Sequence, residues 1–274
     1  MSDTPKKPGG QSDAAHTHYA TLRRARRDDR LARNPPPPEP LRLYGVHAVE
    51  AALGNPARTI HRILVTRNAA ARLGEALEGH DHETVEPKAL DRLVSPDAVH
   101  GGAVIECEPL SETTLGTLPE TDLLVALDQV TDPHNVGAVL RSAAAMGAGA
   151  LVTTARNAPT ETAVLAKSAS GALEHVPIVR ARNLAGALQE IGQRGYRTVG
   201  LDSDGPTDLH DALDGPNGPG PLCLVLGAEG KGLRDKTRST VDALARLDMP
   251  GAIRSLNVSN AAAIALYVAR RHLS

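Results

Sequence analysis

The sequence predicts an α/β protein: a parallel β-sheet covered by helices on both faces, preceded by a smaller α/β module. Three observations predict it. From Asp122 onward, near-continuous apolar runs such as 123–127 and 222–226 alternate with amphipathic stretches. Strands apolar on both faces belong to a parallel sheet with helices on each side. Between residues 41 and 107 the elements are shorter and more mixed, whereas residues 1–40 carry Pro, Gly, Ser and charge, with few residues able to build a core. The chain has 274 residues, 41% of them hydrophobic, enough for one large domain or two modest ones.

The elements follow in order. Residues 1–40 read as a disordered tail that ends in the stiff run Pro35-Pro36-Pro37-Pro38. Within it, the basic stretch from Thr21 to Asn34 has the composition of a transient helix. Residues 1–34 carry eight Lys and Arg against four Asp and Glu, so the tail is basic and the remainder mildly acidic. A basic arm attracts polyanions through counterion release; the alternative is a solvated tail that aids solubility. In the module at 41–108, helices are expected over 46–53, 70–77 and 87–93, and strands over 62–65 and 103–107. The Ser-, Thr-, Gly- and Pro-containing segment 109–120 reads as a linker. From 121 to 274, strands are expected at 123–127, 150–152, 176–179, 198–201, 222–226 and 245–248. Helices are expected at 135–146, 161–168, 184–193 and 261–272. Asp132-Pro133 is a good N-cap and first helical residue, and Gly147 a fitting C-terminal stop.

Composition excludes several function classes. Aromatic residues are 1% of the chain, with four Tyr, no Phe and no Trp. That argues against nucleic-acid binding on a platform of stacked rings. Two cysteines, Cys107 and Cys223, make neither a disulfide framework nor a four-Cys zinc site, and both sit in apolar runs as inert buried thiols. No apolar stretch is long enough to span a membrane and no secretory signal core is present, so a cytoplasmic location is expected. His80-Asp81-His82 lacks a partner motif and reads as an exposed loop; no metal is expected.

Ligands on parallel sheets bind at the carboxyl ends of the strands, and three strand-end loops are richer in polar residues and Gly than packing requires. The first runs from Asp128 to Gly137, with Arg141 one turn beyond. The second is Leu226-Gly227-Ala228-Glu229-Gly230-Lys231-Gly232. The third runs from Met249 to Asn260 and contains Arg254-Ser255-Leu256-Asn257-Val258-Ser259. The second loop has the spacing of neither a P-loop nor a dinucleotide fingerprint, and Ser255 sits in no nucleophile elbow. The glycines let backbone approach a ligand closely, where N–H and C=O groups read a flat base edge. Ser255, Asn257 and Ser259 precede the last helix, and one of Asn257 or Ser259 is expected to cap it. Read by spacing alone, Arg141 is either a solvated helix-face residue or a phosphate ligand, and Glu229 either a solvated loop acid or an orienting group.

In order and spacing, DPHNVGAVLRSA, LGAEGKGL and RSLNVSNAAAIAL resemble the three motifs of the SpoU (TrmH-type) branch of the SPOUT RNA methyltransferases. The resemblance runs from about Leu41 to the C-terminus, and the start LYGVHAV is similar to the small ribosomal-protein-like RNA-binding domain of rRNA-directed members. It implies a parallel sheet with a C-terminal trefoil knot, a homodimer, and 2′-O-methylation of a ribose with S-adenosylmethionine. Guanosine in 23S rRNA is the first expectation. A tRNA guanosine, a resistance-conferring rRNA adenosine, and a non-catalytic RNA-binding or ribosome-assembly factor are the alternatives. Carried over residue by residue, the resemblance implies that Gly227, Leu247 and Leu256 contact the cofactor. Arg141 would hold the phosphate beside the target ribose, Asn135 would fix the loop and the nucleotide, and Glu229, Ser255 and Asn257 would orient them. The family also suggests Arg141 as proton acceptor; a guanidinium with a free pKa above about 12 suits positioning better. The chain departs from the family in Leu247-Asp248-Met249, where many relatives have Ile-Pro-Met.

Overall fold

A computed structural model describes residues 40–215, 218–252 and 255–274. The basic arm and the polyproline run lie outside the described residues, as does Arg254 of the third loop. Residues 40–274 form one compact unit.

The unit begins with a four-stranded sheet. Strands β1 (Leu41–Tyr44), β2 (Ile60–Val65), β3 (Glu83–Thr84) and β4 (Ala103–Cys107) lie in the order β1-β4-β2-β3. The first three in that order are antiparallel, while β3 joins β2 in parallel. Helices α1 (Val46–Leu53) and α2 (Arg67–Leu73) lay Val49, Ala52 and Leu73 on one face, against Leu43, Ile63 and Ile105. Helix α3 (Pro87–Asp91) puts Leu90 on the other face, against Tyr44, Leu64 and Val104. Alternation of side chains along each strand divides these two sets.

The second sheet is seven-stranded and wholly parallel. Its strands are β5 (Leu123–Asp128), β6 (Ala150–Thr154), β7 (Ile178–Ala181), β8 (Arg197–Leu201), β9 (Thr207–Asp208), β10 (Leu222–Gly227) and β11 (Ala243–Arg246), in the order β7-β6-β5-β10-β8-β11-β9. Every residue of β5 and β6 is buried, as the two-sided apolar runs require. Leu123, Val125, Leu127, Leu222, Leu224 and Leu226 face a core that continues into the first sheet's helical side. Leu124, Ala126, Cys223 and Val225 face the opposite side, against Leu184, Leu188 and Ile191. The other helices are α4 (Pro133–Ala145), α5 (Ala163–Ala169), α6 (Leu184–Gln193), α7 (Leu209–Ala212), α8 (Asp235–Arg238) and α9 (Val258–Leu273). Asp132 caps α4 by accepting from the His134 N–H at 3.0 Å, Pro133 opens the helix, and Gly147 follows its end with φ +67°.

Several expectations shift by a few residues. The strand expected at 176–179 is found at 178–181, because Val176 N–H closes a helical turn onto Ala172 O. The strand expected at 245–248 is β11 at 243–246, set by pairing with β8 and β9, while Asp248 turns outward to Arg246. The expected helix at 70–77 is α2 followed by a tighter turn over Gly74–Leu77. β1, β3, β9, α7 and α8 have no counterpart among the expected elements; all five are only two to four residues long. The linker 109–120 is tied down: Leu110 N–H donates to Glu161 at 2.9 Å, Thr113 bridges to Val179, and Leu115 is buried. The modules also share a buried ionic cluster. Arg58 Nη2 lies 2.5 Å from Glu174 Oε1 and Nη1 lies 2.6 Å from Glu161 Oε1. Burial disfavours the Arg58 cation, but hydrogen bonds and charge from Glu174 and Glu161 outweigh it and raise its pKa.

Both cysteines are free and buried, and burial pushes their thiols up to about 11 for Cys107 and about 12 for Cys223. His80 and Asp81 lie in the expected loop, with His82 Nδ1 3.1 Å from His80 O. Among the described residues no cluster of His, Cys, Asp and Glu is placed to hold a metal ion, and no helix is long and apolar enough to cross a membrane.

Candidate active site

The order β5-β10-β8 sets the site. β10 lies between two strands that precede it in sequence, so the crossovers diverge there and leave a crevice at the carboxyl ends. Gly227 pairs in register with Asp128 at that edge. Asp128 is fully enclosed and accepts from the Arg234 backbone N–H at 3.0 Å and from its Nε at 2.7 Å, which anchors the glycine loop to β5. The next residue, Gln129, turns the chain with φ +61°, an unusual conformation for a side chain other than glycine.

From Gly227 the chain folds back on itself. Ala228 O accepts from the Lys231 and Gly232 N–H groups at 3.2 and 2.8 Å. A Cβ on Gly227 would stand 2.1 Å from the Gly232 carbonyl carbon, so only glycine fits. This tight loop forms one wall of a cavity of about 510 Å³, within the range of small-molecule sites. Leu226, Leu247, Leu256 and Val258 give it apolar lining; Glu229 and Ser255 reach it from the rim. The three residues expected to hold the cofactor, Gly227, Leu247 and Leu256, therefore line one cavity. Leu247 does so despite the altered Leu-Asp-Met sequence.

Beside the cavity, Asn257 joins the three loops. Its Oδ1 accepts from the Ser259 N–H at 2.8 Å and hydroxyl at 2.6 Å, which caps α9. Its Nδ2 is then free to donate to Asn135 Oδ1 at 3.1 Å and Glu229 Oε2 at 3.4 Å. The cap and the cross-loop contact use opposite ends of one amide, whose orientation follows from those partners.

Arg141 is not brought into this cluster. It lies six residues beyond Asn135 on α4, about 9 Å along the axis, exposed and in a separate open cleft with His47, Glu50, Ala51, Ser170 and His175. Sequence reasoning also missed a cavity wall: Asp202, Ser203 and Asp204 after β8, and Arg238, which is ion-paired with Asp202. The signal was present, since Asp202-Ser203-Asp204-Gly205 is a polar, glycine-ended loop after a strand, like the three that were read.

The SpoU rRNA methylase family matches residues 122–267, and an RNA 2′-O ribose methyltransferase substrate-binding domain matches residues 42–113. The chain belongs to the SpoU rRNA methylase family and is an RNA 2′-O-ribose methyltransferase. Among its relatives, the 23S rRNA (guanosine-2′-O-)-methyltransferase RlmB of Ralstonia nicotianae is 38% identical over 242 residues, covering 85% of this chain and 96% of that one. The enzyme of the same name from Pseudomonas putida is 35% identical over 243 residues, covering 84% and 96%. Of solved structures, the SpoU methyltransferase AviRb from Streptomyces viridochromogenes in complex with AdoMet matches with a TM-score of 0.69 at 25% identity, covering 84% of this chain and 89% of that one.

Proposed function

We propose that the chain transfers a methyl group from S-adenosylmethionine to the 2′-hydroxyl of a guanosine in 23S rRNA. The cavity that joins Gly227, Leu247 and Leu256 beside the Asn135–Asn257–Glu229 cluster carries this reading. The relatives of that name, matched along almost their whole length, support the choice of substrate.

The residues present fit this cofactor. Backbone groups of the glycine loop and the leucine walls suit a nucleoside, and the bound sulfonium supplies an electrophilic methyl carbon. Methyl transfer from it would form a C–O bond to the 2′-hydroxyl as the C–S bond breaks, leaving a neutral thioether, and the hydroxyl proton would pass to solvent water. In-line placement then matters more than charge stabilisation, and orientation supplies about 7–11 kcal/mol. Asn135, Asn257 and Glu229 hold the target ribose, with Ser255 at the rim. Arg141 holds the neighbouring phosphate and positions rather than abstracts. Because one protomer keeps Arg141 apart from the cluster, the reading includes a homodimer in which some of these residues act across the interface. Its support is the outward face of α9, where Ile264 and Tyr267 are large, apolar and exposed. The reading also includes the trefoil knot, supported by the insertion of β10 and β11 between other strands. We place the enzyme in the cytoplasm, with rRNA.

Mass spectrometry of nucleosides from 23S rRNA incubated with enzyme and cofactor tests the activity. The expected product is one 2′-O-methylguanosine; a base-methylated product or none refutes the reading. Arg141→Ala should abolish transfer and leave cofactor affinity within about twofold; loss of cofactor binding would contradict the assignment.

A further inference from the structure

The cleft around Arg141 is built from both modules. His47, Glu50 and Ala51 come from the first turns of α1 in the substrate-binding module; Ser170 and His175 come from the methylase domain, with Arg141 on α4 between them. The cavity is about 380 Å³ and open to solvent.

Its shape is fixed by close backbone approach. Ser170 ends α5 in the left-handed conformation, φ +52°, and Gly171 follows at φ +94°. A Cβ on Gly171 would lie 2.9 Å from Ala51 Cβ and 3.1 Å from His47 O, so this loop sits directly on α1. Three residues on, Glu174 is clamped from the substrate-binding side by Arg58 and by Asn55 Nδ2 at 2.7 Å. The clamp fixes the backbone that presents His175. His47 is exposed, with Nδ1 3.9 Å from Glu50 Oε2.

The chemistry is mixed in a particular way. Arg141, His47, His175 and Ser170 offer donors, which suit phosphate oxygens. Glu50 offers only acceptors and would repel phosphate, but it suits a ribose 2′-hydroxyl, the group that distinguishes RNA from DNA. We propose that this cleft is a ribose–phosphate site for a nucleotide flanking the target. In it His47 and His175 join Arg141 on the phosphate, and Glu50 accepts from the 2′-hydroxyl. The cleft thereby couples the substrate-binding module to the catalytic helix through the RNA strand itself. The inference rests on the proposed function only in taking the strand that Arg141 holds as RNA.

Fluorescence anisotropy with the full chain tests it without requiring turnover. The probes are a labelled single-stranded oligoribonucleotide and the oligodeoxyribonucleotide of the same sequence. The double variant His47→Ala/His175→Ala is expected to weaken binding of both probes about tenfold, the scale of lost hydrogen bonds to a charged group. Glu50→Ala is expected to lower the preference for RNA over DNA about fivefold. Both histidines are exposed, so the melting temperature should hold; His47→Gln/His175→Gln, which keeps a donor at each position, should restore part of the affinity. Unchanged affinity in the double variant, or a loss that tracks a fall in melting temperature, overturns the proposal. A wild-type chain that binds RNA through this cleft yet transfers no methyl group would refute the proposed function and leave the cleft standing.

Discussion

Arg58→Met removes the cation from the cluster that joins the two modules. The Arg58 side chain has 0% exposure and that of Glu174 2%. Its guanidinium donates to Glu174 at 2.5 and 3.3 Å and to the Glu108 carbonyl at 2.8 Å, and it is paired with Glu161 at 2.6 Å. Methionine fills similar volume but leaves the two largely buried carboxylates without their shared cation. Breaking a buried pair in this way costs about 3–5 kcal/mol. At roughly 2–4 °C per kcal/mol for a body of this size, the melting temperature should fall by about 10 °C. Thermal unfolding followed by circular dichroism measures it. The sign with pH is also fixed. A cation whose pKa is raised on folding stabilises below its unfolded pKa and stops doing so only as pH rises through the folded value. Both lie far above neutrality, so the wild-type contribution is flat around neutral pH. The triple variant Arg58→Met/Glu161→Gln/Glu174→Gln, which removes the stranded charges, should regain much of the loss. A fall of less than about 2 °C, or a triple variant no better than the single, would refute the argument that uncompensated buried charge sets the cost.

Two further predictions concern the methylase domain. In Gly137→Ala the new Cβ would stand 2.5 Å from Ser168 Cβ and 2.9 Å from Leu165 O, so α4 and α5 must separate. The expected loss is about 1–3 kcal/mol in urea unfolding, whereas a gain of about 1 kcal/mol from helix propensity would show the contact to be soft. Asp122 pairs with Arg270 of α9 at 2.8 and 3.0 Å, and that hydrogen bonding holds its carboxyl below its ordinary value. The pair is half-exposed, so Asp122→Asn should cost only about 0.5–1 kcal/mol at neutral pH. A lowered carboxylate stabilises above its unfolded pKa and ceases to as pH falls through the folded value, so the two proteins should converge in acid below pH 3.8, the ordinary Asp122 value; an undiminished gap there sinks the assignment.

Much of the fold and of the candidate site was legible in the sequence because its signals are local. β5 and β10 are near-continuous apolar runs, as is β6 over Ala150–Val152, and that alone demands a parallel sheet with two covers. Asp132-Pro133 and Gly147 mark the ends of α4 through capping and φ preferences that need no partner. The glycine loop and the Ser-Leu-Asn-Val-Ser run stand out as a candidate ligand site because such residues contribute little to a core. What remained hidden depends on partners distant in the chain. β3 and β9 are strands only because β2 and β11 lie beside them. That Asn257 caps α9 with one end of its amide and joins Asn135 and Glu229 with the other follows from three loops meeting in space. The Arg58 cluster spans more than a hundred residues of sequence, and the cleft around Arg141 needs α1 packed against the turn at Ser170. Periodicity and capping act over one or two turns of chain, and so the sequence determined the elements and the chemistry of their loops. Charge pairing and cavity shape act through space at a few ångströms, and so only the tertiary structure decided which of those residues share a site.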